Sequence, residues 1–168
     1  MSPAAPIAAT FSPASVVPTS SGAKSTLKIS VSNSAPGGSY PLVITGTGTD
    51  AASTTHTANL TLTIPAYSLA ISPSSLSVAR GSTATTTITV TALGGYASPV
   101  NLSVSGLPGG TSASWSSNSV LPTANGATAT LTITAKTNAG LATKNLTVTA
   151  SGSGAPQQKQ VLTLTVTP

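Results

Sequence analysis

Aliphatic residues and threonine alternate one for one along four stretches of this chain. They are Ile88-Thr89-Val90-Thr91-Ala92, Leu131-Thr132-Ile133-Thr134-Ala135, Leu146-Thr147-Val148-Thr149-Ala150 and Leu162-Thr163-Leu164-Thr165-Val166. Successive side chains of a strand point to opposite faces, so a period of two puts aliphatics on one face and hydroxyls on the other. A half-buried antiparallel sheet requires this pattern, and the branched threonine side chain fits its pleat. No stretch shows helical periodicity with a cap. Turn residues separate the runs, at Gly94-Gly95, Leu107-Pro108-Gly109-Gly110, Asn125-Gly126, Asn138-Ala139-Gly140 and Gly152-Ser153-Gly154. The chain reads as all-β, with strands predicted near 68–79, 84–93, 98–105, 111–116, 127–136, 143–150 and 159–167, stacked as a two-sheet sandwich.

The pattern also repeats. Shifted by 104, residues 7–48 fall on 111–152 without a gap, with 15 identities in 42 positions, including Ser15/Ser119, Val16/Val120, Leu27/Leu131, Ile29/Ile133 and Leu42/Leu146. Chance in so biased a composition gives roughly five. Phe11 falls on Trp115, and after a two-residue adjustment Leu60-Thr61-Leu62-Thr63-Ile64 falls on Leu162-Thr163-Leu164-Thr165-Val166. A period of about 100 residues suits an immunoglobulin-like sandwich. The expected organisation is antiparallel immunoglobulin-like sandwiches in tandem. Residues 66–168 form a complete module of about seven strands. Residues 1–65 form a partial one, holding only the fourth to seventh strands, near 7–12, 23–32, 40–46 and 57–64. The short junction Ile64-Pro65-Ala66-Tyr67 implies modules meeting end to end with limited bending.

A half-sandwich leaves Leu27, Ile29, Leu42, Ile44, Leu60 and Leu62 short of cover. Each fully buried side chain of this kind contributes roughly 1.5–3 kcal/mol, so the face at residues 7–64 is expected to self-associate or to take strands from elsewhere. Sequence ahead of Met1, a second copy of the chain, or another protein are the candidates, and Met1 reads as a start codon placed before a fragment.

Composition removes most chemistry. Asp50 is the sole acid, His56 the sole histidine, and cysteine and glutamate are absent. Paired-carboxylate hydrolysis, a carboxylate calcium cage and a zinc site all need more ligands or acids than this. A Ser-His-Asp triad would have to use His56 and Asp50 together. No catalytic residue, metal ligand or cofactor site is therefore expected, and the chain reads as a non-enzyme. The net charge of +5 comes from Lys24, Lys28, Arg80, Lys136, Lys144 and Lys159, which are scattered. Nucleic-acid binders cluster cations and interleave aromatics, so no nucleic-acid partner is expected. No apolar run approaches 18 residues, so no membrane insertion is expected, and the N-terminus lacks the pattern of a signal peptide.

The segment Val100-Asn101-Leu102-Ser103-Val104-Ser105-Gly106-Leu107-Pro108-Gly109-Gly110 resembles bacterial immunoglobulin-like (fibronectin-III-like) tandem repeat modules of secreted and surface proteins. Their aromatic-Ser-Pro segment is matched by Phe11-Ser12-Pro13 and, altered, by Trp115-Ser116-Ser117. Their later turn is matched by Ala35-Pro36-Gly37 and Ala139-Gly140. The resemblance covers almost the whole chain. It implies a non-catalytic spacer or adhesive module outside a bacterial cell, with a self-assembling subunit and a carbohydrate-binding accessory module of a hydrolase as alternatives.

Phe11 and Trp115 are the candidate carbohydrate contacts, against their reading as core or edge plugs beside Ala9 and Ala113. Tyr40, Tyr67 and Tyr96 are expected at domain ends or turns with hydroxyls in water. The threonine rows at 85–91, 128–134 and 163–167 are expected to face outward, as a solubilising surface or a hydroxyl lattice for polysaccharide or ice. Lys24 and Lys28 are expected on one outward face of one strand. An isopeptide bond from them would lack a core acid, because Asp50 reads as loop. His56 is expected at a strand start. Asn59-Leu60-Thr61, Asn101-Leu102-Ser103 and Asn145-Leu146-Thr147 match the glycosylation pattern but fall within strands.

Overall fold

The computed structural model describes residues 7–32, 35–49 and 53–168, and every regular element among them is a strand. The first copy supplies β1 (Ile7–Ser12), β2 (Thr26–Val31), β3 (Gly38–Thr47) and β4 (Thr55–Ile64). The second supplies β5 (Ala66–Ser72), β6 (Ser75–Ala79), β7 (Thr83–Leu93), β8 (Val100–Ser105), β9 (Thr111–Trp115), β10 (Ser119–Val120), β11 (Ala127–Ala135), β12 (Ala142–Gly152) and β13 (Gln158–Thr167).

The second copy is a two-sheet sandwich, with strand orders β5-β7-β11-β9 and β10-β8-β12-β13-β6. Its alternating runs place Ile88, Val90, Leu131 and Ile133 from one sheet against Leu146, Val148, Leu162 and Leu164 from the other, all fully buried in one apolar core. Two expectations need correction. The stretch 68–79 is two strands, not one: β5 pairs with β7, whereas β6 crosses to the other sheet and runs parallel to β13. The break falls at Pro73, which has no N–H to donate to a ladder. The Pro73 carbonyl instead accepts the hydroxyl of buried Thr86 at 2.7 Å, tying the crossover to β7. The tyrosines also differ. Tyr67 and Tyr96 are 2% and 5% exposed, with ring centroids 5.1 Å apart, rather than wet at domain ends. Tyr67 Oη donates to the Ala150 carbonyl at 3.0 Å and accepts the Gly152 N–H at 2.9 Å, and Tyr96 Oη donates to the Ser153 carbonyl at 3.0 Å. A phenol with such partners is satisfied inside a core, where it adds a large apolar ring. Tyr40 is half-buried and lies within β3 rather than in a turn.

Burial pushes both phenols above their ordinary value of 10.0, opposed at Tyr67 by the Gly152 N–H. Both are neutral at pH 7, and the folded state holds their protons more tightly than the unfolded chain. Their contribution is complete below about pH 10 and is lost as the pH rises through the folded values. Urea unfolding midpoints are therefore expected to stay flat with respect to these groups from pH 8 to 9.5, then fall above about pH 10. The fall should be smaller in Tyr96→Phe.

The first copy keeps the ladders of the second. β1 pairs with β2 from Ile7↔Val31 to Ser12↔Thr26, and adding 104 to each residue of the first pair gives Thr111↔Ala135, a pair of the β9–β11 ladder. β3 pairs with β4 starting at Gly38↔Ile64. Adding 104 to the first residue and 102 to the second gives Ala142↔Val166, which opens the β12–β13 ladder. The two-residue adjustment between the copies is thus the length difference of one hairpin, and pairing is preserved through it. However, the first copy is not a sandwich like the second. Its strands form two separate two-stranded sheets, β1-β2 and β3-β4. The chain divides into two compact units, Met1–Pro36 and Gly37–Pro168, so the β3-β4 sheet is in the same unit as the sandwich.

Candidate functional site

The outer face of the β5-β7-β11-β9 sheet is built by the alternation itself. Thr83, Thr85, Thr87 and Thr89 of β7 stand opposite Thr134, Thr132, Thr130 and Thr128 of β11, and Ser112 and Ser114 of β9 extend the rows from Thr134 and Thr132. No residue of these four strands is charged. On the other sheet, Thr143 and Thr165 share a hydroxyl contact of 3.2 Å, and Thr163 donates to Asn145 Oδ1 at 3.1 Å. The threonine rows therefore lie outward, as their period requires.

The two candidate aromatics occupy equivalent places with different surroundings. Trp115 is half-buried, sits opposite Leu131 and packs against the core. Phe11 sits opposite Leu27 in the same register but is 43% exposed. Its face is the one that points inward in the second copy, so it is exposed through lack of cover. If an aromatic of this chain holds polysaccharide, Phe11→Ala is expected to abolish retention on an insoluble glycan with the unfolding midpoint unchanged. Trp115→Ala is expected to lower the midpoint, because its ring is part of the core.

The remaining candidates do not assemble. His56 is the second residue of β4, exposed, opposite Gly46. Asp50 lies outside the described residues. Lys28 is exposed on β2, but Lys24 precedes that strand, which begins at Thr26, so the two do not share a strand face. Asn59, Asn101 and Asn145 are exposed strand residues. Among the described residues no group of three or more His, Cys, Asp or Glu is placed to hold a metal ion. No helix is long and apolar enough to cross a membrane.

What the structure does bring together is a set of bare edges. In the second copy β11 is flanked by β9 and β7, β12 by β8 and β13, and β13 by β12 and β6. In the first copy β2 pairs only with β1, and β3 and β4 pair only with each other, among the described residues. Their other edges present backbone N–H and C=O groups without a strand beside them. Burial follows the same division. Leu27, Ile29, Leu42, Ile44 and Leu62 are half-buried and Leu60 is exposed, where the second copy has fully buried Leu131, Ile133, Leu146, Val148, Leu164 and Leu162. Ser119-Val120 forms β10 against β8, whereas the identical Ser15-Val16, which has no such partner, forms no strand. Val120 is 9% exposed and Val16 42%.

The sequence matches no protein-family model and no curated protein. Among solved structures, the chain is similar to domains 4 and 5 of the S-layer protein SbsC, with 17% identity over 67% of this chain and a TM-score of 0.45. It is also similar to SbsC domains 4–9, with 15% identity over 96% of this chain and a TM-score of 0.45. A third is the BIgI domain of the beta protein from S. agalactiae bound to CEACAM1, with 20% identity over 60% of this chain and a TM-score of 0.36. The matches span 59%, 22% and 95% of those chains. Scores below 0.5 leave the fold assignment to the strand order itself.

Proposed function

We propose that this chain is a non-catalytic structural or adhesive module of immunoglobulin-like type, acting outside a bacterial cell as a spacer or presentation unit of a larger surface or secreted protein. One observation carries the reading: a strand ladder repeated in register, beside an outer sheet face of hydroxyls without charge. The single acid and single histidine of the sequence, and its Gly-Leu-Pro and aromatic-Ser turn signatures, support it further. Such a module transmits position rather than chemistry. Hydrolytic assays are expected to find no activity that disappears in His56→Ala. A reproducible activity lost in that variant, with its unfolding profile unchanged, sinks the reading.

The bare edges of β2, β3 and β4 favour a second reading, in which a neighbouring polypeptide completes the first copy by strand addition. In its self-assembling form, a second copy of the chain gives a dimer or filament. Sedimentation over a concentration series is the measurement. Association that grows with concentration is its signature, and a folded monomer throughout removes the self-assembling form.

A further inference from the structure

The outer hydroxyl face of the sandwich ends at an unguarded edge. β9 is the last strand of the order β5-β7-β11-β9, and no strand lies beyond it among the described residues. The ladder on its other side fixes which backbone groups face that edge. Ser116 N–H donates to the Thr130 carbonyl at 2.9 Å and Lys136 N–H to the Gly110 carbonyl at 2.9 Å, so the even-numbered residues of β9 bond to β11. Bonded and non-bonded positions alternate along an antiparallel pair. The N–H and C=O groups of Ala113 and Trp115, with the Thr111 carbonyl, therefore point away from β11, whereas the Thr111 N–H is taken by the Pro108 carbonyl at 3.1 Å.

Sheets protect such edges with proline, charge or brevity. The other edges of the sandwich carry these devices. β5 lies between Pro65 and Pro73, β6 runs into Arg80, and β10 is only two residues long. From Gly109 to Ser119 there is neither a proline nor a charge. Lys136 follows the end of β11 beside Gly110, beyond β9 itself.

We propose that β9 is a self-association edge, which pairs antiparallel with β9 of a second copy of the chain about a two-fold axis at Ala113. In that register the strand is complementary to itself. Ala113 meets its own counterpart, each exchanging N–H and C=O with the other, and Trp115 N–H meets the Thr111 carbonyl of the other copy. On the outer face Ser112 stands opposite Ser114, at a non-bonded position where side chains approach most closely. On the inner face Thr111 stands opposite Trp115, and both are only half-buried in the single chain. Hydroxyl pairs and pairs of an aromatic with a β-branched residue are favourable cross-strand neighbours, and no like charges come together. This self-match selects a second copy over an unrelated strand, which supplies backbone groups without the paired side chains. Two-fold pairing is closed, so it gives a dimer and not a fibre. Two four-stranded sheets become one, with an uncharged hydroxyl face running across both copies. The contact lies wholly within the sandwich and is independent of strand addition at the first copy.

The test is sedimentation of the full chain over a concentration series, with amide exchange as the local readout. Dimer is expected to grow with concentration, and the Ala113 and Trp115 amides to exchange on the order of tenfold more slowly in concentrated than in dilute solution. Ser112→Lys combined with Ser114→Lys puts lysine opposite lysine and is expected to raise the dissociation constant at least about tenfold. Ser112→Glu combined with Ser114→Glu should do the same alone. An equimolar mixture of the two variants is expected to recover dimer, because each lysine then faces a glutamate. Ser112 and Ser114 are exposed, so these changes leave the core untouched. Ala113→Pro removes the central edge N–H without touching the β11 ladder and is expected to abolish the dimer; if that variant fails to fold, the charged pair decides. A monomer at every concentration overturns the proposal. So does a dimer that persists in both charged variants, or a failure of those variants to associate on mixing. A dimer whose slowed amides lie in β2, β3 or β4 and not in β9 overturns it too, by placing the contact in the first copy.

Discussion

Leu131→Ala is expected to destabilise the sandwich by about 2–5 kcal/mol, whereas Leu27→Ala, at the same position of the repeat, should leave the main unfolding transition where it is. Both leucines directly follow a threonine, and both face an aromatic across the ladder, Trp115 in one case and Phe11 in the other. They differ only in cover. Leu131 is fully buried between the two sheets, so its truncation removes transfer free energy and leaves a cavity that rigid neighbours on both sheets cannot close. Leu27 is half-exposed on a two-stranded sheet, where the environment of the side chain changes little on folding. A shift of 1 kcal/mol moves the midpoint of a domain this size by about 4–8 °C, so thermal unfolding resolves the two variants readily. Equal effects would mean that the first copy is covered in solution, and equal absence would mean that Leu131 is not in a packed core.

The contrast between these leucines also shows what could be read from residues alone. Period two specified the strands, because aliphatic and threonine positions sort to opposite faces whatever the neighbours are. Among the described residues, every strand but β10 falls where alternation, turn residues and the repeat placed it, with β5 and β6 sharing the one stretch 68–79. Repeat alignment carried information about pairing: the two-residue adjustment needed to superpose Leu60–Ile64 on Leu162–Val166 is the offset between the ladders. The β5–β6 break was missed: one strand was expected over 68–79 although Pro73 has no N–H to donate to a ladder, and the sheet exchange beyond the proline required the fold. β10 had no signal of its own. Two residues become a strand because β8 runs beside them, and their duplicates at Ser15-Val16 show that the dipeptide does not specify it. The candidate site divides in the same way. The exposure of Phe11 and the half-burial of Trp115 depend on cover that local sequence does not encode. The buried tyrosines escaped because their partners, Ala150, Gly152 and Ser153, lie more than fifty residues away along the chain.

Those tyrosines give the second large effect. Gly152→Ala is expected to destabilise the sandwich by about 3 kcal/mol, and to lower its thermal midpoint by more than about 10 °C. A Cβ at position 152 would run into the Tyr96 hydroxyl, approach the Tyr67 ring at 2.9 Å and meet Val100 at 3.0 Å. All three neighbours are buried, and the rings hold each other at a tilt of 56°, so none can withdraw without disturbing the rest. Displacing Tyr67 also breaks the part-buried hydrogen bond from the Gly152 N–H to the Tyr67 hydroxyl. Gly46→Ala is the matched control: it lies in β3, its Cβ would meet nothing within 4 Å, and the second copy already carries alanine at the equivalent position 150. It should change stability by less than about 0.5 kcal/mol. Removing the Tyr96 hydroxyl opens the space where the added methyl collides most severely, so Tyr96→Phe in the Gly152→Ala background should recover part of the loss. If the double variant is instead less stable than Gly152→Ala alone, the Tyr96–Ser153 hydrogen bond outweighs the steric conflict, and crowding at position 152 is not what fixes glycine there.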